Sequence, residues 1–236
     1  MNNKKNTTLL NKCASAAAHL DQLSDRTADR LLFCCGLLLA ASELYKQIFL
    51  YVVINGGHYD WWFFPFQLCS LPMYLCLLIP FLKDRKGRVS LCTFMQDYGL
   101  LGGIAALMVP DGFSHIHWTL TLHGYLWHLL LIVIGCFLGL SGRTDTSRMG
   151  FVRTIPVFLS SCFIATLINL LAPGHGRADM FYISPYYPNT QLLFHSLSLR
   201  LGILPGNLLY IGAVCLGGYL VHQLFRWLLH KLSCNM

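Results

Sequence analysis

Apolar runs of about twenty residues alternate along this chain with short basic clusters, and that alternation limits the fold more than any other feature. A run of this length crosses the roughly 30 Å hydrocarbon layer as a helix. In lipid a helix is one of the two forms that satisfy every backbone polar group from within. Of 236 residues, 55% are hydrophobic and only 11% are charged, where a soluble domain carries roughly a quarter charged. Mean hydropathy is +0.54. The formal charge of +7 could suggest a nucleic-acid partner, but the basic residues follow the membrane pattern, so no nucleic acid is expected.

The runs predict an all-α, polytopic membrane protein, a six-transmembrane-helix bundle, with spans at about 31–54, 61–82, 89–109, 116–140, 150–171 and 207–229. Residues 1–30 form a polar N-terminal segment without the features of a signal peptide. The membrane domain covers 31–231, and 173–206 is an outer interfacial loop. The two ends and the turns after spans two and four hold 5, 4, 3 and 2 basic residues, whereas the other connections hold 0, 0 and 2. Both termini are therefore expected on the cytoplasmic side. The outer loop is too long for a plain connector. Its Met180–Pro188 and Leu192–Leu199 stretches suggest an amphipathic strap on the outer surface, with a lid or lipid entrance as the sharper alternative.

Eight of the ten cysteines fall in apolar spans, where the thiol usually packs as a small hydrophobe. None falls in an outer loop, so no structural disulfide is expected. The second span, WWFFPFQLCSLPMYLCLLIP, is the exception in kind. On one continuous helix Pro65, Cys69, Pro72 and Cys76 would share a stripe. Pro72 would then bend the helix and free the carbonyl of Leu68 beside the Cys69 thiol.

Ionisable residues inside spans are costly and mark function or paired contacts. Here they are Glu43, Lys46, Asp97, His123 and His128, with Asn169 as a neutral addition. Glu43 and Lys46, at i and i+3, are spaced to pair. Cys69 and His123 each lie about seven residues below the outer ends of their spans, about 10 Å deep, whereas Asp97 lies nearer 18 Å. A thiol and an imidazole at one depth suggest nucleophilic catalysis, with the thiolate attacking and the imidazole carrying its proton. His128, about 140° further round the helix, cannot face the same point. A competing set at the outer boundary (His58, Asp60, Asp111, His115, His117, His175, Asp179) has the donors of a zinc site but no ligand spacing, so no metal is assigned.

Glu43-Leu-Tyr-Lys-Gln47, Phe64-Pro-Phe-Gln-Leu-Cys69, Ala106-Leu-Met-Val-Pro-Asp111, Leu122-His-Gly124, and Asn169 followed by Met180-Phe-Tyr occur in an order that resembles the YwaF-like bacterial integral membrane proteins. The chain is also remotely similar to the eukaryotic transmembrane protein 164 family. The resemblance runs from Glu43 to span six. It implies a six-helix bundle and a cysteine-dependent phospholipid acyltransferase, with Cys69 as nucleophile and His123 as base. It differs from the family's Pro-x-Cys-type motif in placing the proline four residues before the cysteine.

The expectation is an enzyme of a bacterial plasma membrane that transfers or hydrolyses phospholipid acyl groups through Cys69 and His123. Lys46, Asn169, Glu43 and Gln67, or backbone amides near Pro72, would support the site or its oxyanion. Membrane phospholipids are the expected partners. No cofactor is indicated, and the oligomeric state is open. A non-catalytic transporter or lipid-binding scaffold built on Glu43, Lys46 and Asp97 is the alternative. A metal-dependent lipid hydrolase is third.

Overall fold

A computed structural model describes residues 15, 18–172 and 178–233, and among them the fold is helical throughout, with no strand. The helices are α1 (Asp25–Ile54), α2 (Leu68–Phe81), α3 (Arg85–Met108), α4 (Trp118–Leu140), α5 (Arg148–Leu171), α6 (Leu192–Leu201) and α7 (Ile203–Ser233). Polar turn residues fix where three of them begin. Ser24 Oγ accepts from Thr27 N, Asp84 accepts from Lys86 N and Gly87 N, and Ser147 Oγ accepts from Gly150 N. Each satisfies amides that the first helical turn leaves open.

Five helices, α1, α3, α4, α5 and α7, are long and apolar enough to cross a membrane. The expected second span is shorter and broken. Trp61–Phe63 makes one tight turn, Phe64 and Gln67 are extended, and the helix begins only at Leu68. Phe64 precedes a proline, which disfavours helical backbone there. Pro72 consequently sits in the first turn of regular α-helix, where its missing N–H costs nothing, rather than bending a continuous helix. The expected stripe survives only as buried Pro72 and Cys76 below a half-buried Cys69.

Helix α3 is the centre of the bundle: 56% of its apolar window is buried, against 17% for α1 and α7. Gly135 of α4 lets the two helices close up, because a Cβ there would collide with Leu100. Two apolar clusters fill the interior. One packs Leu32, Leu39, Cys76, Met95, Trp127 and Leu138 between α1, α2, α3 and α4. The other centres on Tyr98, stacked between Phe94 and Phe158 with ring centroids 4.8 Å from each, and includes Met180 and Phe181 from the loop before α6.

The basic turns gather at one end. Arg88 forks onto Asp29 of α1 (2.6 and 3.2 Å), Arg143 reaches Leu23 O (2.8 Å) and Arg153 pairs with Asp145 (3.2 Å). Just inside that end, α3 widens into a π turn at Met95–Gly99 that carries Asp97. Asp97 meets His222 of α7, Oδ2 to Nδ1 at 2.9 Å, and both side chains are fully buried. His222 Nε2 faces Ser147 O at 3.0 Å, and Gln96 Nε2 donates to Asp97 Oδ1 at 2.8 Å. With an acceptor opposite each ring nitrogen, Asp97 and His222 hold two protons between them.

Replacing His222 with Leu strands the Asp97 carboxyl in the core. Loss of one partner of a buried pair costs roughly 3–5 kcal/mol. The thermal midpoint of the detergent-solubilised protein should fall accordingly, and adding Asp97→Asn should restore part of it. An unchanged midpoint in His222→Leu would show that the pair does not hold α3 to α7.

Candidate functional site

The break in the second span determines where Cys69 sits. Ser70 N donates to Gln67 O (2.8 Å), so the chain enters α2 through a tight turn with Cys69 at its middle. Trp127 of α4 donates its Nε1–H to the Cys69 carbonyl at 3.1 Å. His123 lies one helical turn from Trp127, on the same face, with ring centroids 5.5 Å apart. The α4 face that carries His123 is thus tied to the Cys69 turn through Trp127. His123 Nε2 is buried and has no hydrogen-bond partner among the described residues.

Across the seam, Lys46 Nζ lies 2.8 Å from Glu43 Oε1, the i, i+3 pair expected from the spacing. Gln47 Nε2 also donates to Glu43 (2.7 Å) and to Phe63 O (2.6 Å), tying α1 to the aromatic turn ahead of Cys69. Glu43 is buried and satisfied by two donors.

Gln67 and Asn169 hold backbone. Gln67 donates to Asp179 O (2.8 Å) and accepts from Phe181 N (2.7 Å). Asn169 accepts from Met180 N (2.6 Å) and donates to Met180 O (3.1 Å). The two amides grip residues 179–181 from opposite sides. Phe181 and Tyr182 between them adopt left-handed backbone (φ 59° and 57°), which non-glycine residues avoid unless held there. Where an outer strap is expected, residues 178–184 turn inward: Ala178, Asp179, Met180, Phe181, Ile183 and Ser184 are buried. The reason is polar. Asp179 accepts from Ser184 N and Thr190 Oγ1, and Asn189 and Asn207 cover the carbonyls of Tyr182 and Ser184. Burial raises the Asp179 carboxyl above its ordinary range, against the pull of those two donors.

The other polar residues part company with the site. His128 Nδ1 meets Gly124 O at 2.7 Å and its ring stacks on Phe113, a structural role. Asp97 belongs to the opposite half with His222. That histidine was not singled out from the sequence, although a lone imidazole in an apolar span is the signal that marked His123. Among the described residues, the outer His and Asp side chains make separate contacts. His115 and His117 stack on one another, Asp60 caps Trp62 N, and no group of three metal-ligating side chains forms among the described residues. His175 and the Asp111 side chain lie outside that description. An open cleft of about 560 Å³, lined by Asn55, His58, Tyr59, Asp60 and Trp62, lies beside the aromatic turn.

The family model of the TMEM164 family matches residues 12–223, nearly the whole chain. The chain belongs to the TMEM164 family. The match spans the Cys69 turn, the His123 helix face and the Gln67–Asn169 clamp together. No curated protein and no solved structure matches the chain.

Gln67→Leu removes the partners of two buried backbone groups, each costing roughly 1–3 kcal/mol when orphaned. Limited proteolysis should then cut within 178–190 at protease levels that leave the wild type intact. Equal resistance in the two proteins would show that the clamp does not hold the insert.

Proposed function

We propose that this TMEM164-family protein is a cysteine-dependent phospholipid acyltransferase or lipid hydrolase. In this reading it sits in a bacterial plasma membrane, crosses it six times with α2 as the short second crossing, and keeps both termini cytoplasmic. The gathering of Arg88, Arg143 and Arg153 at one end supports that orientation. The YwaF-like order of motifs supports the bacterial setting.

One observation carries the catalytic reading. His123 offers a buried, unpartnered Nε2 on the α4 face whose Trp127 holds the Cys69 carbonyl. Buried polar atoms are rarely left without a partner, and in hydrocarbon the cost is higher still. An imidazole with a ring nitrogen left open is suited to take a proton.

In the first half-reaction, His123 takes the Cys69 thiol proton and the sulfur attacks the carbonyl carbon of an acyl ester. The tetrahedral oxyanion is held by Lys46 and by the backbone N–H groups of Leu68 and Cys69. As the carbon–oxygen bond breaks, His123 returns the proton to the departing alcohol, leaving a thioester on Cys69. In the second, an acceptor hydroxyl or water attacks that thioester. Glu43 fixes Lys46, while Gln67 and Asn169 hold the insert that walls the site.

A lipid-binding scaffold is the rival reading. The buried Asp97–His222 pair favours it, because it supplies a polar core that the proposed chemistry does not use.

The purified protein, incubated with phosphatidylcholine carrying a radiolabelled acyl chain, should acquire hydroxylamine-labile label. Cys69→Ala should abolish it without shifting the thermal midpoint, and His123→Gln should slow its formation at least a hundredfold, the usual scale for loss of a general base. Label undiminished in Cys69→Ala, or none on the wild type, would count against the enzyme.

A further inference from the structure

The cations at the basic end divide into two sets. Arg88 and Arg143 are engaged inside the protein, Arg88 by Asp29 and the Ile79 carbonyl, Arg143 by the carbonyls of Leu23 and Ser141. Arg85, Lys86 and Arg153 instead line an open cleft of about 540 Å³, together with Asp84 and Val89. The cleft lies between the start of α3 and the second turn of α5. Its volume falls in the range of small-ligand sites.

Charge in the cleft is unbalanced. Its one carboxylate, Asp84, is committed to the amides of Lys86 and Gly87, so the open end of α3 is already capped from within. Arg85 and Lys86 are exposed, and their side chains make no ion pair among the described residues. Arg153 meets Asp145 through Nη1 alone, at 3.2 Å, and its side chain stays 46% exposed. Most of its guanidinium fork is therefore free to donate.

Beside the cleft lies the lipid-facing surface. Both helices that form it are long and apolar enough to cross the membrane, and both begin here. Next to Arg153, the residues Val152, Pro156 and Leu159 stand at i, i+4 and i+7 and are all exposed. They make an apolar track along one face of α5, running from the cleft toward the middle of the helix. Val89 adds an apolar patch to the cleft wall itself.

We propose that this cleft binds the headgroup phosphate of an anionic phospholipid, with Arg153 on one side and Arg85 and Lys86 on the other. One acyl chain of that lipid lies along Val152, Pro156 and Leu159. Guanidinium and ammonium groups both donate to phosphate oxygens, the guanidinium through two parallel bonds. A zwitterionic lipid would bring a further cation to a cleft that already holds three. A free phosphate has no apolar part to place on the track. The site stands whatever chemistry Cys69 performs.

Native mass spectrometry of the full-length protein in detergent, titrated with dioleoyl phosphatidylglycerol or dioleoyl phosphatidylcholine, reads the occupancy of single lipids. The wild type should take up one phosphatidylglycerol ahead of phosphatidylcholine. Each cation near an anionic headgroup changes binding about fivefold, so Arg153→Gln should weaken that first site about fivefold and Arg85→Gln/Arg153→Gln about twenty-five-fold. Arg153→Lys, which keeps the charge, should retain most of the preference. Arg85→Gln/Lys86→Gln breaks no ion pair and should match the first double variant, which keeps the test sound if loss of Arg153 disturbs folding. Arg26→Gln/Arg30→Gln removes the same charge from α1, outside the cleft, and should change little. Equal weakening in that control overturns the site in favour of a diffuse positive surface. A preference that survives in both cleft double variants, or is missing from the wild type, overturns it outright. Displacement of the lipid by an equal concentration of glycerol phosphate overturns the lipid assignment, because the apolar track would then contribute nothing.

Discussion

Backbone polar groups at membrane depth must find partners inside the protein, and this constraint governs every irregular feature of the molecule. Two of the stretches that leave regular helical geometry are the entry to Cys69 at 64–67 and the insert at 178–184. Each persists because side-chain amides do what a helix would otherwise do for itself. Gln67 serves both, since it lies in the first stretch and bonds the second. Asn169 reaches the insert from α5, and Asn189 and Asn207 cover carbonyls further on. Irregular backbone held at this polar expense surrounds the one half-buried thiol placed at the start of a helix.

The two halves of the bundle use their charges differently. At the basic end, Arg88, Arg143 and Arg153 meet carboxylates or carbonyls, and Asp97 meets His222, so charge there holds helices together. In the other half, Lys46 and Glu43 are paired, yet Nε2 of His123 is not. Asn55, Ser198, Asn207 and Gln223 also keep a buried side-chain atom without a partner among the described residues, so what sets His123 apart is the Trp127–Cys69 hydrogen bond on its own helix face.

Much of this was legible in the sequence because it depends on short-range rules. The spacing of basic clusters gave the order of the spans and which turns lie together. Three residues of separation foretold the Glu43–Lys46 pair. What the sequence hid depends on partners distant along the chain. The run at 61–80 is apolar enough for a continuous helix, and only Gln67 bonding to Asp179 and Phe181, more than a hundred residues away, explains why part of it is extended. The burial of 178–184 follows from the same contacts, so its tyrosines and prolines read as surface. His222 needed only the rule already applied to His123, together with a partner, Asp97, that the spacing grouped with Glu43 and Lys46 instead.

The shortness of α2 has a consequence for the surrounding lipid. Its 14 residues from Leu68 to Phe81 rise about 21 Å, against about 30 Å of hydrocarbon. Tyr74, Leu78 and Phe81 project outward from it. A bilayer meeting so low a wall thins locally, and its headgroups sink toward the end of the hydrophobic surface. In the proposed reading, that deformation would bring lipid ester linkages toward the level of the Cys69 sulfur.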